Sequence, residues 1–263
     1  MKRSKFKSTI LLFAAIPLFM ASCGGDKWPC INGSGAVITE MRTESGFTGV
    51  SSEIDATVYI TQGFEFEVKL IAQQNVLDNI ETNVSGGELE IKSDHCINNS
   101  EPVLVYITMP AISSLSMSGS GSMITQNKIT SPSISFDISG SGSVNTVDSI
   151  ITDILDLNIS GSGDMDFIGK TNSVDADISG SGNITMYGSG TSLNFDISGS
   201  GELHAFYFPV SFADLTVSGS GNIETNVSTD MYVKISGSGN IFYKGTPAIT
   251  AEISGSGELI HVD

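Results

Sequence analysis

Residues 173–186 read Ser173-Val174-Asp175-Ala176-Asp177-Ile178-Ser179-Gly180-Ser181-Gly182-Asn183-Ile184-Thr185-Met186. Apolar and polar residues alternate up to Ile178, and the alternation resumes at Ile184. A period of two marks a strand with one buried face. Glycine takes positive φ without steric cost, so the Ser-Gly-Ser-Gly between the two runs reads as a corner joining two strands.

The same corner starts at Ser118, Ser139, Ser160, Ser179, Ser198, Ser218, Ser236 and Ser254, at intervals of 18 to 21 residues. These copies hold 16 of the 29 glycines. A near-constant period of this size belongs to a solenoid whose units stack on one another. A flexible Gly/Ser linker does not fit, because each copy is framed by patterned apolar residues such as Phe136-Asp137-Ile138, Leu157-Asn158-Ile159 and Phe195-Asp196-Ile197. The spacing predicts an all-β fold, a right-handed parallel β-helix of about eight coils over residues 116–263. At ~4.8 Å per coil it would be roughly 38 Å long.

Upstream, residues 41–115 lack the tetrapeptide but keep the strand pattern in Ala56–Thr61, Phe64–Ile71 and Val103–Met109. Asn83 to Leu89 resembles a degenerate corner. A solenoid end needs covering, so this section is expected to be irregular first coils or a cap, continuous with the repeats.

Residues 1–22 read as an address: Lys2, Arg3, Lys5 and Lys7, then the apolar run Ile10–Met20, then Ala21 and Ser22 before Cys23. This order resembles the lipobox of bacterial lipoproteins, which implies lipidation of Cys23 and a tether over residues 23–40. Gly24, not Asp, follows the cysteine; by the lipoprotein rule that implies the outer membrane, facing the periplasm or the surface. Removing the signal lowers 12 bases to 8 against 29 acids, so the formal charge moves from −17 to −21. Such acidity disfavours nucleic acid and anionic membrane surfaces as partners. In an oxidising compartment Cys30 and Cys96 are either bridged or two separate thiols; the sequence is compatible with both.

Several features resemble one family, the auto-transporter adhesins with a head GIN domain. They are Gly46-Phe47-Thr48-Gly49-Val50, Val58-Tyr59-Ile60-Thr61-Gln62-Gly63, Asn79-Ile80-Glu81-Thr82 before Gly87-Glu88-Leu89, Val105 to Pro110, and the first corner at Ser118. The resemblance covers residues 46–263. It implies a β-helical envelope protein of adhesin type, with a glycan or a host or cell-surface protein as partner.

Catalytic candidates are sparse. Lyases acting on acidic sugars need cations, and the mature chain keeps Arg42 and seven lysines. Glycosidases need one defined carboxylate pair, whereas the carboxylates here recur from coil to coil. His95, His204 and His261 sit in no nucleophile motif. The expected function is therefore a non-enzymatic binding scaffold without cofactor. The alternatives are a carbohydrate-active β-helix enzyme or a purely structural, oligomerising envelope protein. One metal candidate stands out: Asp137, Asn158, Asp177 and Asp196 occupy the same outward position on successive coils, an oxygen-rich column of the kind Ca²⁺ selects. It lacks the Gly-rich pattern of Ca²⁺-binding solenoids.

Overall fold

The computed structural model describes residues 30–98 and 101–263. The Cys23 lipidation site and the signal lie outside the described residues. The repeats form a right-handed parallel β-helix. Ser160 pairs with Ser179, Ser179 with Ser198, Ser198 with Ser218, Ser218 with Ser236 and Ser236 with Ser254, so five successive steps keep the corner in register. Inward positions stack as apolar columns: Ile159, Ile178, Ile197, Val217 and Ile235 in one, Leu157, Ala176, Phe195, Leu215 and Val233 beside it, all buried. In the second column Ala176 lies between Leu157 and Phe195, so a small side chain compensates its large neighbours and the interior stays filled.

Both glycines of a corner are required by the coil beneath, and the first also by its backbone. Gly180 has φ 149°, and a Cβ there would collide with the carbonyl oxygen of Gly161 in the preceding coil. That carbonyl accepts from Ser181 N at 2.8 Å, a bond repeated from Ser200 to Gly180 and from Ser220 to Gly199. At Gly182, whose φ is not positive, a Cβ would likewise collide with the carbonyl oxygen of Gly163, and would stand 2.6 Å from Ile159 Cγ2. The corner is thus a place where successive coils approach too closely for any side chain.

Three successive coils return through a bend built on a buried hydroxyl. Ser131, Thr152 and Thr171 donate to the carbonyls of Ser133, Ile154 and Ser173 at 2.8, 2.8 and 2.9 Å. One return is irregular. Around Phe208 the register between neighbouring strands shifts, and Phe208 turns inward to meet Phe167 edge-on, 6.0 Å between ring centroids.

The N-terminal section contains one irregular coil and a cap. Strands Gly49–Ser52 and Thr57–Gln62 stack in parallel beneath Ser114–Met117 and Ser122–Thr125. Between them the chain leaves the coil and covers its open end. On one flank Glu88–Lys92 lies parallel to Gly49–Ser52, with Glu81–Ser85 antiparallel beyond it. On the other, Leu104–Met109 pairs with Thr57–Gln62, followed by antiparallel Glu67–Gln73 and then Val37–Arg42. The segment read as a degenerate corner is instead a hairpin turn: Gly86 and Gly87 have φ 60° and 88°, and the strands on either side run antiparallel. The short helix Gln74–Leu77 packs at this end, where Arg42 donates to the carbonyls of Leu77 and Ile80 and pairs with Glu40 at 3.2 Å.

Sheet structure begins inside the stretch expected as a tether. Ile31–Asn32 pairs with Ile97–Asn98, and Val37–Arg42 is a full edge strand. Cys30 and Cys96, with Cα atoms 4.5 Å apart, are joined as a disulfide beside the first of these pairings.

Candidate functional site

Outward positions make two unlike flanks. On the first, strand register places Asp137, Asn158, Asp177 and Asp196 in one line. Asp156, Asp175, Asn194 and Asp214 form a second line alongside. Carboxylates one coil apart repel, and asparagines between them supply donors: Asn158 Nδ2 to Asp137 at 2.9 Å, Asn194 Nδ2 to Asp175 at 2.7 Å. Past the corner the device recurs, with Asn183 Nδ2 donating to Asp164 at 2.8 Å. Where no amide intervenes the charge is felt. Burial, then Asp196 and Asp175, push the Asp177 carboxyl above its usual range; burial, then Asp175 and Asp137, do the same to Asp156. In the Ca²⁺ candidate column itself, one such bond joins Asn158 to Asp137, while Asp177 and Asp196 stand side by side with no amide between them. Among the described residues no three His, Cys, Asp or Glu side chains are grouped as a metal shell.

The first flank also holds a groove of about 340 Å³. Ser173 and Ser192 are in register with Phe212 and Asp230. Two small serines leave a floor against which Phe212, 45% exposed, stands as a wall. Asp214, Asp230 and Tyr232 complete the rim. This site was not read from the sequence; its signal was an apolar Phe212 where the neighbouring coils carry Ser192 and Asp230.

The histidines assemble no nucleophile. His204 lies between two carboxylates, Nε2 3.3 Å from Glu202 and Nδ1 3.1 Å from Glu224. His261 Nε2 stands 3.0 Å from the Gly245 carbonyl, its ring against Tyr243. His95 is in the cap, where its backbone N–H donates to Ser93 Oγ at 3.2 Å. On the same side of the coils as His204, Tyr187 and Tyr207 stack nearly parallel, 5.9 Å between centroids, with both rings exposed.

A parallel β-helix with a covered N-terminal end, glycine corners and outward polar ladders defines a class of solenoid scaffold. The chain belongs to the family described as "Putative auto-transporter adhesin, head GIN domain", whose model matches it twice, over residues 46–147 and 135–247. The chain is similar in fold to a crystal structure of a putative adhesin from Parabacteroides merdae (20% identity, TM-score 0.84), covering 89% of this chain and 99% of that one. A putative adhesin from Parabacteroides distasonis (22%, TM-score 0.85) is covered fully by 89% of this chain. A protein of the same organism described as a putative lipid binding protein (24%, TM-score 0.83) is matched over the same shares. No curated protein matches the chain. The family description is that of an adhesin, not an enzyme.

Proposed function

We propose that the protein is a non-enzymatic, lipid-anchored scaffold of the outer envelope that binds a glycan along its acidic flank. The observation that carries this reading is the groove at Phe212. An exposed aromatic face accepts the C–H surface of a sugar ring, and carboxylates beside it accept hydrogen bonds from sugar hydroxyls. Parallel coils hold these groups on strands, so the site is preformed. Family membership supports an adhesin-like role at the cell envelope.

A glycan array probed with residues 23–263 tests the reading. Binding that is lost in both Phe212→Ala and Asp230→Asn is the expected result, and a blank array would overturn it. Proteolysis of intact against lysed cells tests display, with protection in intact cells removing the adhesin role. A second reading, a structural protein assembling end to end, is favoured by the strand Ala248–Gly255. All eight of its residues are exposed, including the inward-register Ile249 and Ile253. Light scattering separates the two, since the second requires a concentration-dependent oligomer.

A further inference from the structure

The second flank, formed by the strands that follow each corner, changes character along the solenoid, and the change falls at the cap. Strand register sets Met41 beside Lys69, Lys69 beside Tyr106, Tyr106 beside Tyr59 and Tyr59 beside Ile124. All five are outward and partly or wholly exposed. The next row contributes Ile71 and Leu104, and the edge strand begins with Val37, 47% exposed like its neighbour Met41 at 56%. On these five strands the only charges at outward positions are Glu67 and Lys69, which cancel. Two to five coils beyond Ser122–Thr125, the same rows carry Asp164, Asp166, Glu202 and Glu224. In a chain of formal charge −17, a neutral surface rich in Tyr, Met, Val and Ile is an interaction face.

Its composition has the features of the bilayer interface. Tyr59 and Tyr106 stack with centroids 4.8 Å apart, and Lys69 Nζ lies 4.4 Å from the Tyr106 ring. Tyrosine prefers the headgroup level, where its ring is half in lipid, and a lysine beside it lays its stem along the apolar surface and its ammonium among phosphates. At the margin of the same flank, the turn between Thr57–Gln62 and Glu67–Gln73 presents Phe64, fully exposed.

Chain length says why this face meets lipid. Six residues lie between Cys23 and Cys30, so the two can be at most about 25 Å apart when the chain is fully extended. Cys30 is pinned to Cys96, Ser34 N donates to Asn75 Oδ1 at 2.8 Å, and Val37 then opens the edge strand of this flank. A cap held that closely cannot stand clear of the membrane.

We infer that the outer face of the cap, centred on Met41, Lys69, Tyr106 and Tyr59, rests on the lipid bilayer that anchors Cys23, with the acidic flank turned away. The inference rests on lipidation of Cys23. The contact is interfacial, not electrostatic, which is why an acidic chain can make it.

The test uses the acylated chain in phosphatidylcholine vesicles with brominated acyl chains, which quench tryptophan at short range. The native Trp28, five residues from Cys23, reports the anchor. In a Trp28→Phe background, Thr39→Trp places a probe on the cap face and Asp196→Trp one on the acidic flank. Expected is quenching at position 39 at least about twofold that at position 196. It should fall when Met41→Glu is added and the thermal midpoint is unchanged. Equal quenching at both positions, with Trp28 quenched and the chain floating with vesicles, overturns the face and leaves the anchor standing. Equal quenching with a dimer in light scattering overturns it in favour of a second copy. An unacylated Cys23 by mass spectrometry, with no flotation, overturns face and anchor together.

Discussion

The repeat coils and the N-terminal cap use glycine in opposite ways. In the coils, Gly180 is held both by φ 149° and by the carbonyl of Gly161 against it. In the cap, Gly86 has φ 60° with nothing within 4 Å of where a Cβ would stand. The coil glycine answers to a neighbour, the cap glycine to its own turn. The difference generalises: coils are stabilised by identity with the coils beside them, the cap by local hairpins, antiparallel pairings and one covalent link.

The sharpest way to break that contrast is to give both glycines the same methyl group. Gly180→Ala adds a strained φ to a backbone collision that the stack cannot relieve, and should cost about 2–5 kcal/mol. Gly86→Ala should cost only about 1–2 kcal/mol for the left-handed backbone, and Gly86→Asn less. Urea denaturation of the three variants checks this. Equal losses at both positions would mean that close approach, the premise of the corner, does not matter.

The covalent link comes next. Cys30 and Cys96 are 66 residues apart in sequence, and losing their bridge should cost about 2–4 kcal/mol. The loss should also be local. In Cys30→Ser/Cys96→Ser, hydrogen exchange should accelerate in Ile31–Asn32 and Ile97–Asn98 and stay slow in the coil strands Asp164–Lys170 and Asn183–Ser189. Acceleration throughout the coils would show that cap and solenoid unfold as one unit.

The coils were legible because their constraint repeats. Each Ser-Gly-Ser-Gly meets another at a fixed interval, and alternation on either side says which residues face inward. The cap strands Ala56–Thr61 and Val103–Met109 also followed from alternation, within a residue of Thr57–Gln62 and Leu104–Met109. Pairing did not follow. Val37–Arg42 joins Glu67–Gln73 across some thirty residues of chain, and nothing in either pattern names the other. Ser85-Gly86-Gly87 looked like a corner because two positive-φ glycines serve a tight hairpin equally well. The groove escaped notice for a related reason. Its wall, Phe212, reaches the outside only after the irregular return at Phe208 resets which residues face the solvent.

Two inward threonines sharpen the comparison at a smaller scale. Thr152 donates to the Ile154 carbonyl at the bend of a regular coil, whereas Thr125, where the first irregular coil meets the repeats, is buried with no hydrogen-bond partner for its hydroxyl. Valine has nearly the same shape. Thr152→Val should lose about 1–2 kcal/mol, because a buried carbonyl loses its donor. Thr125→Val should be neutral or gain up to about 1 kcal/mol, because an unpaired polar group disappears. Thermal midpoints measured side by side decide it, and a loss at Thr125 would mean its hydroxyl has a partner.

The smallest effect expected is electrostatic and separates the flanks. Burial and the neighbouring Asp196 and Asp175 raise the Asp177 pKa above its ordinary 3.8, and Asp156 is raised in the same sense. A carboxyl that holds its proton more tightly when folded favours folding at low pH. Its contribution is complete below the unfolded value and is lost as pH rises through the folded one, so at neutral pH the ladder opposes stacking. The melting temperature should therefore rise as pH falls from neutral toward the ordinary aspartate value of 3.8, until protonation reaches carboxylates that accept hydrogen bonds. Asp177→Asn should raise stability at pH 7 by less than about 1 kcal/mol and flatten that slope, because an amide cannot repel Asp196. A slope that persists undiminished in Asp177→Asn would place the titration elsewhere and remove the acidic ladder as its source.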